Sequence, residues 1–448
     1  MKKRYVAAVV FLFALLLSSY AFAADSDTIK IGLFYSSTAK DSVTLACDNG
    51  FTIGYEQGFT TGYDSNFTVL QETDLTALTI KKNGDTGVEA EGILIFDEPG
   101  SFLTVYPRSG NLFLDGTEYR GGIQFKRQDT GDMTVINIVN IEEYLYSVIG
   151  QEMSPSWNIE ALKAQAVCAR GFAASNRAKF ASYGFHLTND TNSQVYLGVA
   201  SETDSTRQAV DETQGIVLTY NGQIAETLYF ASSGGATANS AHVWGNEVPY
   251  LTGVVDPYEN PEEATRYNWT VSITAAEIKE ILANRGVDIG DIQSVQAVST
   301  DSLGYVTELK FTGTGGDYTV TNSNCRDIFG GKIYSQRYAV TGGGEIQNPE
   351  LSVLSSAGQT ILSAFRLFLT GGSPAQFPLV VQGAQDTAAY AQTAAAGDGS
   401  FLFTGHGWGH GVGMSQWGAK AMADQGFSYD SILSFYYPGT QLKERSSL

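Results

Sequence analysis

The sequence predicts a β-rich α+β fold, and three observations carry that expectation. Glycine and aromatic residues are abundant, with 49 Gly, 24 Phe and 24 Tyr. Short apolar runs alternate with polar residues and turn formers along the first third of the chain. Helical periodicity is confined to a few segments. Together these describe many short strands and tight turns with a small helical part. At 448 residues the chain exceeds one ordinary domain.

The chain opens Met1, Lys2, Lys3, Arg4, continues with an apolar run from Tyr5 to Leu17, and reaches Ala21, Phe22, Ala23. A basic start, an apolar stretch and a small-x-small site predict a signal peptide over residues 1–23, cleaved after Ala23. The other reading is an uncleaved N-terminal membrane anchor, although the run is shorter than the ~20 residues a spanning helix needs. Either way the chain is expected to act outside the cytoplasm. Without Lys2, Lys3 and Arg4 the chain holds 24 Lys+Arg against 47 Asp+Glu, a formal charge of −23. Such a surface repels nucleic acid and anionic lipid, and leaves an uncharged or zwitterionic sugar polymer as a compatible partner. Cys47, Cys168 and Cys325 are far apart and odd in number, which argues against a disulfide framework and against a metal-ligand spacing. A Cys47–Cys325 bridge stays open, and Cys168 reads as a small apolar helix residue.

Residues 24–140 read as sheet. Ile29, Ile31 and Leu33 alternate, and the runs 51–55, 67–71, 92–96, 102–106 and 133–139 follow with turn residues between them. The texture changes at Asn140, where Asn140 and Glu143 resemble a cap and its partner. Ile141, Leu145, Val148 and Ile149 then take helical spacing up to Gly150. A second helix is expected from about Asn158 to Lys179, with Ile159, Leu162, Ala166, Ala169 and Ala173 along one face. Between the two lies a loop holding Glu152, beside the positive end of the second helix. Asn221–Gly222, between two apolar runs, is the strongest hairpin signal in the chain and leads into Ala231, Ser232, Ser233, Gly234 and Gly235. Residues 141–340 form the core of this region. Residues 341–400, rich in Ala, Gly, Gln, Ser and Thr, read as an insertion or mobile excursion. Residues 401–448 close the chain with a glycine-rich run from Gly405 to Gly418 and a helix to about Gln425.

Three dense segments stand in order. The first is Glu152-Met153 followed by Glu160 to Val167 and Ala169-Arg170. The second is Ser232-Ser233-Gly234-Gly235 with Val243-Trp244-Gly245 and Pro249-Tyr250-Leu251. The third is Gly409-His410-Gly411-Val412-Gly413-Met414-Ser415-Gln416. In these segments the chain resembles the stage II sporulation protein D family, also called SpoIID/LytB. The resemblance spans roughly residues 29–442. It implies a peptidoglycan lytic transglycosylase acting between MurNAc and GlcNAc on strands whose stem peptides have been removed. Glu152 is then the catalytic acid, with Lys163 and Arg170 as supporting site residues. It also implies an amidase as functional partner, because stem peptides must be removed first. Some members hold zinc just before a Gln-Val-Tyr. Here that stretch runs from Thr188 to Tyr196 without Cys or His, so neither metal nor another cofactor is expected.

The residues themselves allow that chemistry. Glycoside cleavage needs one acid with a raised pKa to protonate the leaving oxygen. A hydrolase would need a second carboxylate, and Asp190 and Asp256, the nearby acids nominated for it, have no motif behind them. Ring closure by the sugar's own C6 hydroxyl needs none. Lys163 and Arg170, seven residues apart, are expected on one side of the second helix, where they bind the lactyl carboxylate, orient Glu152, or form a solvated basic face. His406 and His410 are four apart but separated by glycines, which favours a loop over a metal-binding helix; His410 is assigned to backbone shaping and sugar hydrogen bonds. Ser232, Ser233, Gly234 and Gly235 lack the spacing of a nucleophile elbow and read as a sugar-approaching loop. Tyr229 and Trp244 offer stacking faces, with a core role equally open for Trp244. Ser415 and Gln416 complete the candidate substrate-binding set. The competing function is a non-catalytic wall-binding protein that stimulates an N-acetylmuramoyl-L-alanine amidase.

Overall fold

The computed structural model describes residues 27–59, 67–342, 350–355, 358–363 and 399–447. The leader (1–23) and most of the 341–400 excursion lie outside these residues. Among the described residues no helix is long and apolar enough to cross a membrane. The chain divides into two compact units, the first ending at Ser147 but including residues 176–201, the second holding residues 148–175 and 202–448.

The first unit is β-structure, as its alternating pattern requires. One seven-stranded sheet runs in the order Leu187–Thr188, Thr28–Phe34, Met133–Asn140, Gly122–Arg127, Ser101–Pro107, Phe51–Gln57, Phe67–Thr73. Its pairings are antiparallel except that of Leu187–Thr188 with Thr28–Phe34. A six-stranded sheet runs Thr117–Tyr119, Leu112–Leu114, Ser42–Ala46, Ala77–Asn83, Gly87–Ala90, Leu94–Phe96. Ile29, Ile31, Phe51, Ile53, Leu103, Val105, Ile123 and Val135 are buried. The expected strands are all present, together with short ones the pattern did not single out. Two of these, Leu112–Leu114 and Thr117–Tyr119, meet at Asp115–Gly116, whose φ of 47° and 88° turn the chain tightly.

Helix α1 (Ile141–Glu152) continues through Gly150 instead of stopping there, and Met153 N–H still donates to Ile149 O. Gly150 keeps a negative φ, so it is an ordinary helical residue and not a cap. Glu152 is therefore the last residue of α1. Helix α2 (Ile159–Ser175) begins after Asn158, whose side-chain oxygen accepts Glu160 N–H, and ends four residues before the expected Lys179. The expected single apolar face is also corrected, since Ala161, Leu162 and every residue from Ala164 to Gly171 are buried. Helices Asp204–Asp211, Gln416–Asp424 and Tyr429–Tyr436 pack on it, and its alanines and glycine allow the close approach. The hairpin at Asn221–Gly222 forms as expected, both residues having positive φ.

A further core in the second unit lies between the sheet of Asn268–Thr274, Ser400–His406 and Tyr338–Gly342 and the sheet of Ile292–Thr300, Val306–Gly313 and Gly316–Thr321. The three cysteines are buried free thiols, so the Cys47–Cys325 bridge is absent.

Candidate active site

The second and third motifs meet through a two-residue parallel ladder, Tyr229–Phe230 beside Met414–Ser415. The contact extends through a bridge between Ser232 and Trp408 and another between Ala238 and Val412. Segments some 180 residues apart in sequence thus become one platform, and the end of α1 reaches it. Trp157, in the loop after Glu152, packs on Trp417 with ring centroids 4.7 Å apart.

At this junction Glu152 is held by both carboxylate oxygens. Tyr229 Oη donates to Oε1 at 3.2 Å and Gln416 Nε2 donates to Oε2 at 3.1 Å. Gln416 is the first residue of the helix Gln416–Asp424, whose cap is Ser415: its hydroxyl accepts Gly418 N–H. The same hydroxyl accepts Ser233 N–H at 3.2 Å, which ties the second motif to the third.

Burial raises the proton affinity of Glu152, and the hydrogen bonds from Gln416 and Tyr229 oppose it without winning. Its place at the negative end of α1, not the positive end of α2, acts in the same direction as burial. Neither cations nor other carboxylates are among the groups setting this shift. The arrangement is that of one acid that keeps its proton to higher pH than an ordinary glutamate. Tyr229→Phe and Gln416→Met each remove a donor to the carboxylate. Each is expected to lower kcat/KM by about 10- to 100-fold and to move the alkaline limb of the pH–rate profile upward, because the ionised form loses support. A pH–rate series for each variant checks both effects.

The two cations expected beside Glu152 are engaged elsewhere. Lys163 pairs with Glu160 at 2.8 Å and Glu212 at 2.6 Å. Glu160 also accepts Tyr429 N–H, so Lys163 belongs to a brace joining α2 to its neighbours. Arg170 is fully buried instead of facing solvent, and its guanidinium donates to the backbone oxygens of Ile216 and Val210. Capping those carbonyls is what makes a buried guanidinium tolerable.

The loop Ser232, Ser233, Gly234, Gly235 is also buried, so it supports the site from beneath rather than approaching a sugar. Gly234 has φ of 58°, and a Cβ there would meet the backbone of His406 and Gly407. Its amide is used internally, donating to Glu259 at 2.9 Å. His410 is neutral, its pKa pushed down to about 4 by burial. Its Nδ1 accepts Val412 N–H and it has a further hydrogen bond with the Tyr229 backbone, which favours backbone shaping over a sugar contact. Trp244 is 43% exposed beside the His410 ring, so the core reading falls and a stacking face remains. His406 stands apart, bonded to Asn268.

Two buried acids beside the loop had no motif to announce them as a pair. Ser233 Oγ lies 2.9 Å from Asp256 Oδ2 and 2.5 Å from Glu259 Oε2. A hydroxyl has one proton, so it can donate to only one of two carboxylates, and the second contact needs a carboxyl proton. Burial raises the proton affinity of both acids, but Asp256 also accepts from Tyr436 Oη and Tyr258 N–H, which oppose that rise, so the proton belongs on Glu259. Burial pushes the Glu259 pKa up from 4.5 to about 7. A raised folded-state pKa contributes stability that is complete below pH 4.5 and lost as pH rises through about 7. Glu259→Gln, which mimics the protonated acid, is expected to remove about 3 kcal/mol of this pH dependence. Denaturant unfolding of both proteins at pH 5 and pH 8 checks it. Asp190, the other acid considered, is exposed in the first unit and accepts from Thr188 Oγ1 and Asn192.

The site as built is a buried carboxyl group held by donors from two other motifs. The chain belongs to the stage II sporulation protein D family. The family's model, described as "Stage II sporulation protein", matches residues 129–220. Stage II sporulation protein D of Bacillus subtilis is 30% identical over 331 residues, covering 70% of this chain and 77% of its own length. The amidase enhancer of the same organism is 35% identical over 345 residues, covering 75% of this chain but only 46% of its own length. An uncharacterized protein of Brachyspira hyodysenteriae is 32% identical over 363 residues, covering 81% and 79% of the two chains.

Proposed function

We propose that this protein is a peptidoglycan lytic transglycosylase that works outside the cytoplasm on glycan strands stripped of stem peptides. The observation that carries the reading is the single carboxyl group of Glu152, held by Tyr229 and Gln416, with its proton affinity raised by burial. Glu152 gives its proton to the glycosidic oxygen leaving C1 of the MurNAc ring, and the C1–O bond breaks as that carbon gains oxocarbenium character. The resulting carboxylate, still held by its two donors, accepts the proton of the C6 hydroxyl. O6 then bonds to C1, closing a 1,6-anhydro ring and restoring the protonated acid. No water and no second carboxylate enter the balance, whereas hydrolysis would call on both.

The substrate implies an amidase acting earlier on the same strands, since a stem peptide is released by cleavage of its amide. Similarity to an amidase enhancer supports a second reading, in which the chain binds wall glycan and stimulates an amidase without cutting. Incubation of amidase-stripped strands with the protein, followed by mass spectrometry, separates the two. Anhydro-ended fragments support the enzyme. Intact strands together with a faster amidase support the enhancer.

A further inference from the structure

Trp408 is 43% exposed, a large apolar surface for a tryptophan to leave open. It lines a cleft of about 390 Å³ with Tyr334, Ile333, Arg326, Asp327 and the glycines around them. Two of its aromatic rings also meet Arg266, whose guanidinium carbon is 3.5 Å from the centre of the Tyr334 ring and 5.6 Å from that of Trp408. These two ring contacts are its interactions: among the described residues no hydrogen bond or ion pair takes up its five N–H donors. The neighbouring cation differs, because Arg326 is neutralised by Asp327, whose Oδ1 accepts from its Nε and Nη2.

The platform is rigid from below. Tyr334 packs edge-on against buried Trp269, whose indole N–H donates to Gly407 O, and Tyr334 O accepts Gly409 N–H. Arg266 itself sits at φ of 60°, a left-handed conformation that costs an arginine energy and that recurs at ligand clamps. In a chain with 20 more acids than bases, an arginine held over an aromatic ring with its donors unspent is a prepared anion site. Trp408 pairs through its backbone with Ser232, three residues beyond Tyr229, at most about 10 Å along the chain from the residue that touches Glu152.

We propose that Trp408 and Arg266, the latter held by Tyr334, form a second saccharide subsite that reads a carboxylated pyranose, the exposed Trp408 face taking the ring and the guanidinium taking the carboxylate. The inference rests on the transglycosylase reading and identifies the ligand feature as the free lactyl carboxylate of a muramic acid unit. A stem peptide turns that carboxylate into an amide, which has no charge for Arg266 to pair with. The subsite therefore separates stripped from peptide-bearing strands, the task that Lys163 and Arg170 cannot perform while engaged as described.

The test uses the full chain carrying Glu152→Gln, so that ligand is bound but not consumed, in calorimetric titrations with two probes. One probe is an amidase-stripped glycan oligomer; the other is the same oligomer with its carboxyl groups converted to methylamides. The stripped oligomer is expected to bind about 10-fold more tightly, and Arg266→Ala to erase that difference while leaving the methylamide oligomer's affinity unchanged. Trp408→Ala is expected to weaken both. Arg266 is exposed, and unchanged thermal unfolding of its variant confirms that the fold is intact. A preference that survives Arg266→Ala, or equal binding of both probes before that change, overturns the subsite and leaves the proposed function standing. Binding of neither probe overturns both.

Discussion

Glu152→Gln is expected to lower the rate of glycan cleavage by about 1000-fold, leaving the fold and glycan affinity in place. Glutamine keeps the shape of the side chain and an acceptor for Tyr229, but has no acidic proton to give the leaving oxygen and no carboxylate to recover one from the C6 hydroxyl. General acid–base catalysis is worth about 10²- to 10⁴-fold, and here one group supplies both halves. The stability change distinguishes this account from loss of structure. A glutamate with a raised pKa is under-stabilised when ionised, so at pH 8 the neutral glutamine is expected to unfold no earlier than the wild type. Cleavage assays, thermal unfolding at pH 8 and oligomer titration, run on the same preparation, check the three parts together.

Gly413→Ala is expected to destabilise the second unit by about 3 kcal/mol and to remove activity with it. Gly413 has φ of 82°, and its Cβ position falls on the carbonyl oxygen of Leu228. That oxygen cannot retreat, because it accepts Met414 N–H and Tyr437 Oη. Left-handed backbone costs alanine about 1 to 2 kcal/mol, and forced overpacking adds a similar amount. The strand pairing displaced is the one that sets Tyr229 beside Met414, so both donors to Glu152 are lost at once. Gly426→Ala is the control. Gly426 also has positive φ, at 90°, but open space where a Cβ would go, so the backbone cost alone is expected and activity should persist. Denaturant unfolding of the two variants side by side measures the difference.

The sheet-forming first unit was legible because alternation has a simple cause: one face of each strand must be apolar. The end of α1 was not, because a glycine that stops one helix is carried through another, and only a backbone dihedral distinguishes the two at Gly150. The candidate acid was found from its motif, whereas its partners came from contacts that sequence spacing does not encode. Gln416 and Tyr229 lie 264 and 77 residues from it. Arg170 was misplaced for a physical reason. Spacing puts it opposite an apolar stripe, but α2 is enclosed on nearly every side, and carbonyls of distant segments replace the water an arginine would otherwise need. The Asp256–Glu259 pair was half visible, since Asp256 drew notice as a lone acid. What joins it to Glu259 is the single hydroxyl of Ser233, which had been read as part of a sugar-facing loop.

The central claim is that Glu152 serves as acid and then base without water. Cleavage of stripped strands in ¹⁸O-enriched water tests it most directly, with the new muramic acid ends weighed by mass spectrometry. The account predicts ends carrying no ¹⁸O and lacking the mass of one water. Ends that carry ¹⁸O would contradict it, because water would then have attacked C1 and a second base would have to be at work.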